Sequence, residues 1–95
     1  MDKYRRTATV PIRVRFWVEG VLTNVTTHNI SIKDPSGQLV EDEQPMGYSS
    51  PGVYTYDYTS EATAVLGKYT AHAFLAKDSY TDVPEYIFEI VEEVT

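Results

Sequence analysis

The sequence predicts an all-β protein, an antiparallel sandwich of six to seven strands. Three observations carry this reading. Apolar residues recur at every second position in several stretches, turn signals return at intervals of about 8 to 12 residues, and no segment keeps a helical period. Eight tyrosines, with many valines and threonines, supply residue types that fit a pleated, half-buried surface. A chain of 95 residues is long enough for one core and too short for two.

The first strand is "ATVPIRVRFWV": Val10, Ile12, Val14, Phe16 and Val18 share one face, and Pro11, Arg13, Arg15 and Trp17 share the other. Pro11 has no N–H to give to a ladder, so this strand belongs at a sheet edge. A turn around Gly20 leads to "VTTHNISIKD", with His28, Ile30 and Ile32 on one side. In "DPSG", Pro35 presets φ and the Asp34 side chain can hold the backbone ahead of it, which predicts a turn into a short strand, "QLV". "EDEQPMGYSSPG" has no apolar period and reads as a surface loop crossing between sheets.

"VYTYDYT" follows, with Tyr54, Tyr56 and Tyr58 on one face and Val53, Thr55 and Asp57 on the other. The tyrosines could form a binding platform or a core stripe. Burying Asp57 without a partner would be expensive, so the tyrosine face is expected inward, with Tyr58 nearest the strand end and the best placed for exposure. "SEATAVLG" is a connection with room for one helical turn. "KYTAHAFLA" then turns Tyr69, Ala71, Ala73 and Leu75 to one side and Thr70, His72 and Phe74 to the other. After a last loop, "KDSYTDVPE", the strand "YIFEIVEEV" opposes Tyr86, Phe88 and Ile90 to Ile87, Glu89 and Val91.

Charge is segregated along the chain. Residues 1–15 hold five of the eight basic residues, Lys3, Arg5, Arg6, Arg13 and Arg15, against Asp2 alone, leaving +4; the other eighty residues carry three lysines and thirteen acids, or −10. Residues 1–8 therefore read as a basic N-terminal arm, short and polar enough to lack order unless a neighbour holds it, and residues 9–95 as a single domain. The acidic body argues against nucleic acid as a partner. No apolar run has the roughly 20 residues of a membrane span, and "MDKYRRTATV" lacks the apolar segment of a signal peptide, so the chain is expected to stay in the cytoplasm that makes it.

Chemistry is poorly represented. With no cysteine there is no disulfide or thiol nucleophile. His28 and His72 lack the close second histidine of a metal site, and Asp78 and Asp82 lack the glycine and distal glutamate of a calcium loop. No G-x-S-x-G or glycine-rich phosphate loop occurs, and Glu41, Asp42 and Glu43 read as a solvated run. Asn24 and Asn29 match the glycosylation pattern but, without a secretion signal, should stay unused. The sequence thus predicts no enzyme, no metal and no cofactor. Its interaction candidates are Arg13, Arg15 and Trp17, which an edge strand presents together away from the core, joined by Tyr4, Arg5 and Arg6 of the arm. The plainer alternative has Trp17 covering one end of the sandwich while the arginines pair with surface acids.

"LGKY" is similar to the corner of immunoglobulin-like sandwiches, where a tyrosine starting a late strand bonds its hydroxyl to nearby backbone; Tyr69 is the candidate. Together with "IRVRFWVEGVLTNVTTHNISIKDPSGQLV", "GVYTYDYT" and the closing "YIFEIVEEV", the chain resembles small prokaryotic and phage-encoded immunoglobulin-like domains of macroglobulin or fibronectin type. The resemblance implies an immunoglobulin-like sandwich and, from members of this length, a virion structural protein that decorates a capsid or forms part of a head or tail. Implied partners are other virion proteins with acidic contact surfaces, with self-association left open. Glu19-Gly20 stands where relatives often have Asp/Asn-Gly, which predicts a longer or less regular hairpin. A carbohydrate- or surface-binding module using Tyr48, Tyr58 and Tyr80 is the alternative role.

Overall fold

A computed structural model describes residues 2–92, which form eleven strand segments and no helix. These are β1 (Asp2–Arg5), β2 (Thr9–Arg15), β3 (Trp17–Val18), β4 (Val21–Leu22), β5 (Thr27–Lys33), β6 (Leu39–Pro45), β7 (Gly47–Ser50), β8 (Val53–Thr59), β9 (Gly67–Lys77), β10 (Tyr80–Asp82) and β11 (Glu85–Val91). One sheet runs β1-β11-β9-β5-β6 with β10 added to β9, the other runs β2-β8-β7, and β3 with β4 forms a separate hairpin. All pairings are antiparallel except β1 with β11.

The alternation predicted for the long strands is the one observed, except that Val53, expected outward with Thr55 and Asp57, is 7% exposed. Val10, Ile12 and Val14 of β2 face Ile30 and Ile32 of β5, the Tyr69 to Leu75 row of β9, and Phe88 and Ile90 of β11 in one core. Aromatic rings join the two sheets. Tyr58 of β8 lies 6.3 Å from Tyr69 and 6.1 Å from Phe88, which stack on each other at 5.4 Å. Tyr69 also donates its hydroxyl to the Val65 carbonyl at 2.6 Å, the bond expected of the corner tyrosine.

Several sequence expectations need correction. Residues 2–5 of the arm are ordered as β1, because β11 offers its free edge and Tyr4 can lay its ring edge-on against Phe88 at 6.2 Å. The stretch read as a short strand and a loop is instead strand over almost its whole length. β6 continues to Pro45, Met46 is buried at the crossing, and β7 joins the second sheet. The crossing between sheets was legible; the strands were hidden because β6 is an edge strand with much of both faces in solvent and two register shifts that break its period. Glu43 at one of these shifts takes a φ of 47°. "KDSYTDVPE" contains a tight turn and β10 rather than a plain loop. The Glu19-Gly20 hairpin is not long: both residues have positive φ, 51° and 80°, and close a two-residue turn between Val18 and Val21. The connection after β8 holds one turn, with the Ala64 N–H bonded to the Glu61 carbonyl at 3.1 Å.

Asp34 closes the β5–β6 turn as its sequence foretold. One carboxylate oxygen accepts from the Ser36 hydroxyl at 2.7 Å, the Ser36 N–H at 2.9 Å and the Gln38 N–H at 3.0 Å. The Ser36 hydroxyl above all, with these amides, holds its carboxyl below the ordinary value of 3.8, although partial burial opposes the shift. At the other end, Gly52 (φ 74°) is irreplaceable by geometry, since a Cβ there would sit 2.7 Å from the Thr23 nitrogen.

Two outcomes follow for stability. Tyr69→Phe removes one buried hydrogen bond and keeps the ring, so thermal denaturation should show a loss of about 1 kcal/mol, or roughly 4 to 8 °C. For Asp34→Ala, the depressed carboxyl stabilises the fold above its unfolded value and loses that contribution as pH falls through the folded one. The stability gap between wild type and variant should therefore be full at neutral pH and shrink below pH 3.8.

Candidate interaction surface

The fold sorts the six candidate residues into two groups at different ends of the molecule. β2 runs from Thr9 near the β8–β9 connection to Arg15 near the β3–β4 hairpin, pairing Thr9 with Thr59 and Arg15 with Val53. At about 3.3 Å per residue, Arg5 and Trp17 are separated by roughly the length of the sandwich. They do not form one continuous patch.

Arg13, Arg15 and Trp17 are exposed as the alternation required, but the expected single strand breaks at Phe16, leaving the arginines on β2 and Trp17 on β3. Both arginines are exposed, and Trp17 is 56% exposed instead of covering the sandwich end. Neither arginine has an acidic partner within bonding distance among the described residues, where the sole ion pair is the surface contact between His72 and Glu85 at 2.9 Å. β2 is an edge strand, so its far side has no neighbour in the sheet.

A junction below the hairpin fixes Trp17. Phe16, 2% exposed, donates its N–H to the Gly52 carbonyl at 2.8 Å and accepts from the Thr23 N–H at 2.9 Å. Asn24 accepts from the Gly52 N–H through its side chain at 2.9 Å, so this glycosylation-pattern asparagine has a structural role. The ladder between β3 and β4 then sets Trp17 opposite Leu22. The sequence showed the face; the junction comes only from tertiary contacts.

The arm residues are differently placed. Tyr4 is partly buried, and its hydroxyl lies 3.5 Å from that of Tyr86, which donates to Asp2 at 2.6 Å. Arg6 donates its Nε to the Ala64 carbonyl at 2.7 Å, and Thr7, at φ 69°, bonds through its N–H to Ser60. Tyr4 and Arg6 therefore hold the arm to its own domain. Arg5 is the exposed member of the three.

The tyrosine stripe faces inward, with an inverted gradient. Tyr54 and Tyr58 are buried at 2% and 5%, and Tyr56 is the partly exposed one. Position within the strand misled the expectation: Tyr58 packs against Tyr69 and Phe88 of the other sheet, which bury it. A carbohydrate platform of Tyr48, Tyr58 and Tyr80 thus loses its middle member, while Tyr48 and Tyr80 stay exposed on separate strands. His28 stacks on Tyr54 at 4.7 Å, a packing role.

One cleft of about 340 Å³ opens at the corner end, between β6, the end of β8 and the β8–β9 connection. Its lining includes Glu41, Glu61, Asp34, Tyr58 and Tyr69. It left no mark in the sequence, because its residues come from four separate segments. Burial, followed by the neighbouring Tyr69, Glu41 and Glu61, pushes the Tyr58 phenol up to about 12. Among the described residues, no three acidic or histidine side chains gather closely enough to hold a metal ion. No family model, curated protein or solved structure matches this chain.

The raised phenols set an alkaline limit. Tyr58, Tyr69 and Tyr86 are all shifted upward, burial being the largest cause in each. A phenol that ionises later in the fold than in the open chain supports stability below the ordinary value near 10 and loses that support as pH rises toward the folded value. An absorbance titration should show part of the tyrosine signal ionising only above the ordinary phenol range, with thermal stability falling as pH rises from about 10 toward 12.

Proposed function

We propose that this chain is an immunoglobulin-like β-sandwich that serves as a non-enzymatic virion structural protein, a capsid decoration or a head or tail component. It docks through the outer side of β2, with Arg5 contributing from the other end, onto neighbouring virion proteins with acidic surfaces. The immunoglobulin-like reading is supported by three features: a β11-β9-β5 sheet opposite a β2-β8-β7 sheet, the change of sheet between β6 and β7, and the corner bond of Tyr69. The virion role rests on the family resemblance of the sequence, since a sandwich fold by itself serves many purposes.

The observation that carries the docking face is the trio of exposed residues Arg13 and Arg15 on the edge strand β2 and Trp17 on the adjoining β3, with neither arginine paired to an acid among the described residues. An exposed indole can exclude water at the centre of a contact, and guanidinium groups make forked bonds to carboxylates at its rim. Charge attraction then speeds encounter while the indole lengthens residence.

The test is made on purified particles of the virus encoding the chain. Mass spectrometry should find the polypeptide there, and its absence sinks the reading. Arg13→Glu combined with Arg15→Glu should lower incorporation by roughly thirtyfold, from two reversed charge contacts of about 1 kcal/mol each, without moving the melting temperature. Unchanged occupancy would clear this face of the role.

A further inference from the structure

The corner-end cleft has a chemistry opposite to that of the β2 face. Tyr58 forms its floor, 5% exposed, with a hydroxyl that has no hydrogen-bond partner among the described residues. Glu41 and Glu61 line the same space and form no ion pair within the described chain, though Glu41 also faces the Tyr56 hydroxyl. Asp34 adds negative charge, but its carboxylate is already engaged by its own turn. No basic side chain is among the residues that line the cleft, and Arg6 binds the carbonyl of its neighbour Ala64 through Nε.

We propose that this cleft is a receptor for a cationic side chain, arginine or lysine, presented by another polypeptide. The acids are too dispersed to grip a metal ion, which favours a large, delocalised cation. Val40 and Val65, 38% and 50% exposed, line the cleft and offer apolar surface to the methylene stem. Long basic side chains bury such a stem while keeping the charged head among polar groups. Tyr58, its ring packed against Tyr69 and Phe88, offers its hydroxyl as an acceptor, and Glu41 and Glu61 accept the N–H donors of the head. The volume of about 340 Å³ holds one such side chain with water. The cleft shares no residue with the β2 docking face, so the free arginine probe tests it whatever becomes of that face.

The test titrates the isotope-labelled full chain with N-acetyl-arginine methylamide at low salt, followed by amide NMR. Shifts should centre on Glu41, Tyr58, Glu61 and Val65, and the uncharged citrulline analogue should produce none. Glu41→Gln with Glu61→Gln should weaken binding by roughly tenfold or more while the melting temperature holds, and Tyr58→Phe should weaken it less. Shifts spread over the whole acidic surface, equal shifts from citrulline, or indifference to the glutamine pair would overturn the proposal. Sedimentation at low and high salt identifies the source of the cation. Self-association abolished both by the glutamine pair and by the Arg13/Arg15 reversal assigns it to a second copy of this chain. A monomer that still binds the arginine probe assigns it to a different protein.

Discussion

The contact on which the structure depends is the aromatic junction of Tyr58, Tyr69 and Phe88. It joins a strand of the three-stranded sheet to two strands of the larger one, and rings of this size supply much of the apolar area a small core has available. Tyr69 makes the junction directional. Its ring lies in the core, while its hydroxyl reaches the Val65 carbonyl and fixes the connection that lines the cleft beside Tyr58. With that connection in place the cleft acquires its walls, so packing and candidate binding chemistry at the corner end share one cause.

Charge distribution follows from how the chain crosses between sheets. The basic stretch is split between β1, on the edge of the larger sheet, and β2, on the edge of the smaller one. Arg6, at the break, is drawn inward to a carbonyl, whereas Arg13 and Arg15 are left in solvent. The acids of β6 gather at the opposite edge of the larger sheet, and Glu41 leans into the cleft. A charge dipole along the sequence thereby becomes an outer basic face and a separate acidic recess. Edges bearing such charges, together with Pro11 and the irregularities of β6, also resist unwanted strand pairing.

How much could be read in advance depended on whether a strand had one dry face. β2, β5, β9 and β11 were legible because alternation records burial on one side, and the outward trio of the first strand came with it. β6 and β7 were not, since an edge strand wet on much of both sides leaves no period and its bulges would erase one. β1 escaped for another reason: its partner is β11, at the far end of the chain, and no local pattern encodes that parallel pairing. Tyr58 was misjudged because proximity to a strand end says nothing about what packs against it.

By itself, the sequence determined the all-β class, the faces of the main strands, the Asp34 turn, the Tyr69 corner and the outward arginines with Trp17. Each depends on residues within a few positions of one another, where backbone period and local hydrogen bonding decide the outcome. Only the tertiary structure decided that Tyr4 and Arg6 serve their own domain, that Gly52 and Phe16 anchor the hairpin carrying Trp17, and that Glu41, Glu61 and Tyr58 surround one cleft. Those are meetings of distant segments, set by how two sheets pack, and their partners leave no mark on one another's local pattern.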